Sequence, residues 1–168
     1  MSKSLGNVLD PVALAAEYGT DPLRYYLLRA IPATEDGDFS QERFIRTYNT
    51  ELADQLGNLL NRTVSMVGRY FGGTVPTPGA PSGPDADLIA LGEGLRERVD
   101  GAMRRFAPHD ALAAIWELIG AANKYVAETA PWKLAKRRET EPEAAQRLAT
   151  ALYNLSLIHI SEPTRQAE

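Results

Sequence analysis

Apolar residues recur along most of this chain at steps of three and four, the spacing of one face of an α-helix. Leu23, Tyr26, Leu27, Ala30 and Ile31 form the first complete stripe. Asp10-Pro11 and Thr20-Asp21-Pro22 each set a capping side chain ahead of a proline, which marks a helix start. A short helix is expected over residues 12–18, stopped by Gly19 in the left-handed region, and a second runs from Pro22 until Pro32 breaks it. Residues 35–38 read as a turn, with Phe39 in a short extended piece.

Ser40 is the expected N-cap of the longest helix, which reaches Phe71. Its stripe is Ile45, Tyr48, Leu52, Leu56, Leu59 and Val67. Gly57 sits inside it, where glycine costs roughly 1 kcal/mol relative to alanine, so a close neighbour or a local bend is expected there. Gly72-Gly73 ends the helix. Residues 72–84 are rich in proline and glycine and read as a flexible excursion between helices. Asp85 is the expected cap of a helix carrying Leu88, Leu91, Leu95, Val99 and Phe106. Behind Pro108, Asp110 caps another, with Leu112, Ile115, Trp116, Ile119, Ala122 and Val126 on its apolar side. Ala130-Pro131 ends that helix, and a last one starts near Glu141-Pro142 with Leu148, Ala151 and Leu152. The pattern predicts a mainly α protein, an antiparallel bundle of four or five helices with short connections, preceded by a loop-helix segment.

Helical periodicity is expected to stop at Leu155. Residues 155–168 (LSLIHISEPTRQAE) resemble the conceptual translation of a transposon-type sequencing adaptor, so they are expected to be a read-through tail outside the fold. The chain thus divides into three parts: 1–39, a loop and connecting segment; 40–154, the helical domain; and 155–168, the tail.

Composition narrows the function classes. The 168 residues are 44% hydrophobic and 24% charged, as in ordinary globular chains, and they include no cysteine, hence no disulfide, thiolate metal site or cysteine nucleophile. No apolar run is long enough for a bilayer and no signal segment opens the chain, so a cytoplasmic protein without a membrane partner is expected. A formal net charge of −4 argues against a general nucleic-acid coat but leaves room for a local basic face.

Three groups of residues carry candidate chemistry. Ser2, Lys3 and Ser4, followed by Gly6 and Asn7, could set an ammonium group and backbone N–H donors against a phosphate, although the G-x-x-x-x-G-K-S/T spacing is missing. A serine–lysine pair at a chain start is, by itself, more often a frayed terminus. Asn58 and Arg62, four residues apart, share one helix face. Asn offers a paired donor and acceptor for a base edge and Arg can clamp a base or its phosphate, yet spacing alone favours an ordinary polar face. Trp132, just after the helix-breaking Pro131, is either a stacking platform beside Lys133, Lys136, Arg137 and Arg138 or a buried plug between helices. Asn123 falls on an apolar stripe and reads as a buried helix-to-helix hydrogen bond. His109 and the charge runs 93–98 and 139–143 carry no ligand set, and no metal site is expected.

Longer strings add a family resemblance. Met1-Ser2-Lys3-Ser4 resembles the last four residues of the Lys-Met-Ser-Lys-Ser loop of class I aminoacyl-tRNA synthetases. Leu5-Gly6-Asn7-Val8-Leu9-Asp10-Pro11 is similar to the stretch directly after that loop in the methionyl-tRNA synthetases. The run Asp54-Gln55-Leu56-Gly57-Asn58-Leu59-Leu60-Asn61-Arg62 resembles their anticodon-reading helix, and Asn123-Lys124-Tyr125-Val126 through Pro131-Trp132-Lys133-Leu134-Ala135-Lys136 is again similar. The resemblance implies ligation of methionine to its tRNA with ATP and Mg²⁺. It gives Lys3 to ATP phosphate stabilisation, with Ser2 and Ser4 in the nucleotide loop. It gives Asn58 and Arg62 to contacts with a CAU anticodon, and Trp132 to stacking on its first base. The family's first loop lysine would precede Met1, and the His-x-Gly-His-type motif, methionine pocket and zinc insertion are missing from these residues. The expectation is therefore a C-terminal part that binds tRNA at most, inactive without its catalytic domain and with no cofactor bound. The alternatives are a part of a leucyl, isoleucyl or valyl enzyme, or a stand-alone helical RNA-binding module.

Overall fold

The computed structural model describes residues 10–32, 37 and 39–160, of which 158–160 are described by backbone alone. Asp10 caps the first helix, its Oδ1 accepting the Val12 N–H at 2.9 Å, and Pro11 opens α1 (Pro11–Tyr18). Gly19, at φ +90°, separates α1 from α2 (Thr20–Ala30), a conformation that suits glycine alone. On α2, Leu23 and Tyr26 are buried as the stripe predicts, whereas Leu27 is 40% exposed. The Tyr26 ring meets the edges of Phe39 at 5.3 Å and Phe44 at 5.5 Å, and Tyr18 meets Phe44 at 5.2 Å. These four aromatic rings form a small core beneath α1 and α2.

The expected long helix is continuous but not uniform. Ser40 caps α3 (Gln41–Thr47), its Oγ accepting the Arg43 N–H at 3.3 Å. The backbone then widens into a π segment (Tyr48–Gly57) before α4 (Asn58–Phe71). The Asn58 N–H donates to the carbonyl of Ala53, five residues back. A wider turn shifts which side chains face inward. Phe44 is therefore fully buried and no residue of the π segment is, although the 3.6-residue stripe includes Tyr48 and Leu52. The bend expected at Gly57 is this π geometry: a Cβ there would lie 3.1 Å from the Leu52 carbonyl oxygen. Gly72, in the left-handed region, ends α4 as expected.

The proline-rich segment is tied down, contrary to the flexible excursion expected of it. The Gly79 N–H donates to Thr150 Oγ1 at 2.8 Å, laying the segment along α8 (Pro142–Ile160). Asp85 also departs from expectation. Pro84 opens α5 (Pro84–Arg104), and Asp85 turns inward, 1% exposed, instead of capping the helix. Likewise α6 (Pro108–Thr129) starts at Pro108 without a side-chain cap, and Asp110 pairs with Arg105 at 3.7 Å. In both places proline, lacking an N–H, removes one donor that a cap would satisfy.

The antiparallel α5–α6 hairpin packs against α8, as α4 does from its own side, and α6 also meets the π segment. Leu59, Val67, Leu118, Val126, Leu148 and Leu152 lie at the centre of the shared core. A short α7 (Pro131–Arg137), not foreseen as a helix, packs on α8. The last helix does not stop at Leu155: it continues to Ile160, with Leu155 fully buried and Ser156 6% exposed. Leu148, Leu152 and Leu155 follow one i, i+4, i+7 face, so core packing carries the helix past the expected boundary. The front segment is joined to the bundle through Glu51 of the π segment, which accepts from Tyr25 and, at 3.3 Å, from Arg29. The Tyr25 ring also meets Trp116 of α6 at 6.0 Å. Among the described residues no helix is long and apolar enough to cross a membrane.

Candidate nucleic-acid interface

Asn58 and Arg62 stand one turn apart at the start of α4, where π geometry gives way to α geometry, and both are exposed. Arg62 is held on two sides. Its Nε donates to the Asn58 carbonyl at 3.2 Å, and its Nη2 donates to Oδ1 of Asn123 on α6 at 2.8 Å. A guanidinium carries five N–H donors. Two are engaged in this way, and the described residues use none of the other three. Such a fork suits a base edge or a phosphate.

Asn123 is half-buried and bridges three elements. Its Nδ2 donates to the Ile119 carbonyl at 3.1 Å within α6 and to the Gln55 carbonyl at 3.2 Å in the π segment. The expected helix-to-helix hydrogen bond is thus present, but its acceptor oxygen serves Arg62.

Trp132 lies in the first turn of α7, past a sharp corner. Ala130 is left-handed there (φ +42°, ψ +63°), ending α6 and turning the chain. Pro131 is fully buried and anchors the corner, while Trp132, one helical step round, is 41% exposed. The residue is therefore partly open to solvent and not a buried plug. Ala130 lies seven residues after Asn123, two turns along one face of α6, which puts the corner about 10 Å away.

The expected cluster of four cations is smaller than its sequence suggests. Arg137 is engaged by Glu141 in a two-pronged pair, with Nε at 2.9 Å, and that hydrogen bonding holds the Glu141 carboxyl below its ordinary pKa. Arg138 donates to the Tyr70 carbonyl at 2.9 Å and lies 5.7 Å over the Tyr70 ring, pinning α7 to α4. Lys133 and Lys136 remain exposed beside Trp132. The wide cleft between α5 and α6 is an ion-pair surface: Arg98 pairs with Glu117 there, and Arg96 with Asp100 at 3.8 Å.

Ser2, Lys3 and Ser4 lie outside the described residues. The Arg62–Asn123 bond and the Gln55 carbonyl carried no signal in the sequence, because Arg62 and Asn123 are 61 positions apart.

Residues 1–64 match the family model for class I tRNA synthetases of the methionine type. A methionine–tRNA ligase of Clostridium tetani is 51% identical over 156 residues, which is 93% of this chain and 24% of that protein. One of Mycobacterium tuberculosis is 49% identical over 154 residues, 91% of this chain and 29% of that protein. The chain thus spans about a quarter of the length of these relatives. The fold also superposes on Mycobacterium tuberculosis methionyl-tRNA synthetase in complex with methionyl-adenylate, with a TM-score of 0.90 and 44% identity over 96% of this chain and 31% of that one. The apo form of the same enzyme gives a TM-score of 0.87 and 42% identity over 92% of this chain and 31% of that one.

Proposed function

The chain belongs to the methionyl-tRNA synthetase family, and on that basis we propose that its helical bundle reads the anticodon of a methionine tRNA. Asn58 and Arg62 contact base edges of a CAU anticodon and Trp132 stacks on its first base. The observation that carries this reading is the restrained Arg62 guanidinium, held beside the exposed Asn58 with three N–H groups unused by the described residues. A net charge of −4 gives little attraction for RNA in general, so binding depends on these local contacts.

Trp132→Ala tests it. Loss of one stacked base weakens binding of a CAU stem-loop by about 1–3 kcal/mol, while the weak binding of a stem-loop with a replaced anticodon is unchanged. Equal loss for both would make Trp132 a structural residue.

Aminoacylation is proposed for the longer proteins of the family, with ATP and Mg²⁺ as the relatives' activating pair. Lys3, flanked by Ser2 and Ser4, would supply a compact ammonium charge to the ATP phosphates there, stabilising charge that develops on the leaving pyrophosphate. Among the described residues no group of three His, Asp or Glu side chains could hold a metal ion. The 168-residue chain is expected to show no ATP–pyrophosphate exchange; measurable exchange by the purified chain contradicts that expectation.

A further inference from the structure

We infer that Asn123 is a positioning residue for the anticodon site, fixing Arg62 and the backbone that presents Asn58. The inference rests on the anticodon reading above. One amide meets three elements: Oδ1 accepts from Arg62 at 2.8 Å, and Nδ2 donates to Gln55 at 3.2 Å and Ile119 at 3.1 Å. Only this amide orientation serves both sides, since the reverse would set NH₂ against a guanidinium and oxygen against two carbonyls. Aspartate would lack the donor, and leucine would lack donor and acceptor. The Gln55 carbonyl lies three residues before Asn58, so the same side chain fixes the end of the π segment and the arginine beyond it.

The fold has little need of this bond. The shared core already buries Leu59, Ala122 and Val126, and an exposed arginine can leave its partner for water at small cost. Restraining a long, rotamer-rich side chain at the surface opposes its conformational entropy. Restraint in advance strengthens a later contact, because the ligand no longer has to order that side chain on binding.

A double-mutant cycle tests this. Asn123→Ala, Arg62→Ala and the pair are titrated with a CAU stem-loop and with a stem-loop carrying a replaced anticodon, at one salt concentration. Asn123→Ala should weaken CAU binding about tenfold, the scale of one charge-assisted hydrogen bond. It should leave the replaced-anticodon affinity unchanged and cost clearly less in the Arg62→Ala background than in the unaltered chain, the remainder being its hold on the backbone before Asn58. Additive losses, equal losses for both stem-loops, or no loss would overturn the assignment. If Asn123→Ala does not fold, ¹⁵N relaxation of the Arg62 Nη groups in the unaltered chain decides, since Nη2 is the atom bonded to Asn123 while Nε is held by Asn58: an ordered Nη2 supports the assignment and free rotation overturns it. Absence of binding by the unaltered chain contradicts the anticodon reading itself, while the relaxation measurement still reports whether Asn123 holds Arg62.

Discussion

The Tyr125 hydroxyl donates to the carboxylate of Asp85 across the α5–α6 pair, in an enclosed polar site of the bundle. Asn154 Nδ2 adds a bond to the same carboxylate at 3.2 Å, Arg147 lies 3.5 Å away, and the Ser82 N–H donates at 2.8 Å. Asp85 therefore gathers the end of the proline-rich segment, α6 and α8 around one buried charge.

Removing that acceptor strands its donors. Asp85→Ala should lower stability by about 3–5 kcal/mol, because the Tyr125 hydroxyl and Arg147 lose their acceptor and Asn154 Nδ2 keeps only a 3.4 Å bond to the Tyr125 oxygen. Urea unfolding measures it. A loss below about 1 kcal/mol would mean that water readily replaces the carboxylate and that the site is open to solvent.

The same site gives an alkaline signature. Burial first, then the bond to Asp85, raises the Tyr125 pKa above its ordinary value of 10.0. The folded pKa is the higher one, so the protonated phenol's contribution is fully present below pH 10 and declines as pH rises beyond it. Above pH 10 the unfolded chain releases a proton that the folded chain keeps. Tyr125→Phe should start from lower stability at neutral pH and show a shallower decline above pH 10. An unchanged slope would assign the decline to other groups, Tyr25 first, whose pKa is raised by burial and by Glu51.

Two glycines of one continuous helix should respond oppositely to alanine. At Gly68 a Cβ meets nothing within 4 Å, so Gly68→Ala should stabilise by about 0.5–1 kcal/mol. At Gly57 the Cβ would press on the Leu52 carbonyl at 3.1 Å, so the same gain is expected to vanish or reverse. Thermal unfolding of both variants checks this. Equal gains would mean that the π segment relaxes readily to α geometry.

The end of α8 is likewise testable. Leu155 is fully buried beside Leu148 and Leu152, and Leu155→Ala should cost about 2–5 kcal/mol. A negligible cost would place this residue outside the core.

How far the fold could be read from sequence varied with the physics involved. Helix starts at Asp10 and Ser40 and the stop at Gly72 were legible because caps and left-handed turns are local chemistry. Asp85 was misread because an aspartate beside a helix start looks the same whether it caps or turns into the core; its partners Tyr125, Arg147 and Asn154, far along the chain, decide between the two. The π segment was signalled only by Gly57, since a 3.6-residue stripe cannot show a widened turn. At the candidate interface, Asn58 and Arg62 were legible as a shared face. The reduction of the basic cluster was not, because Tyr70 is 68 positions from the Arg138 it holds.

The most direct measurement is the affinity of this chain for a CAU anticodon stem-loop against one whose anticodon alone is replaced, at the same salt. Anticodon reading predicts at least about tenfold tighter binding of CAU, or roughly 1.4 kcal/mol, with the preference abolished by Arg62→Ala. Equal affinities with the same salt dependence would contradict it, leaving only general attraction between RNA and the exposed lysines.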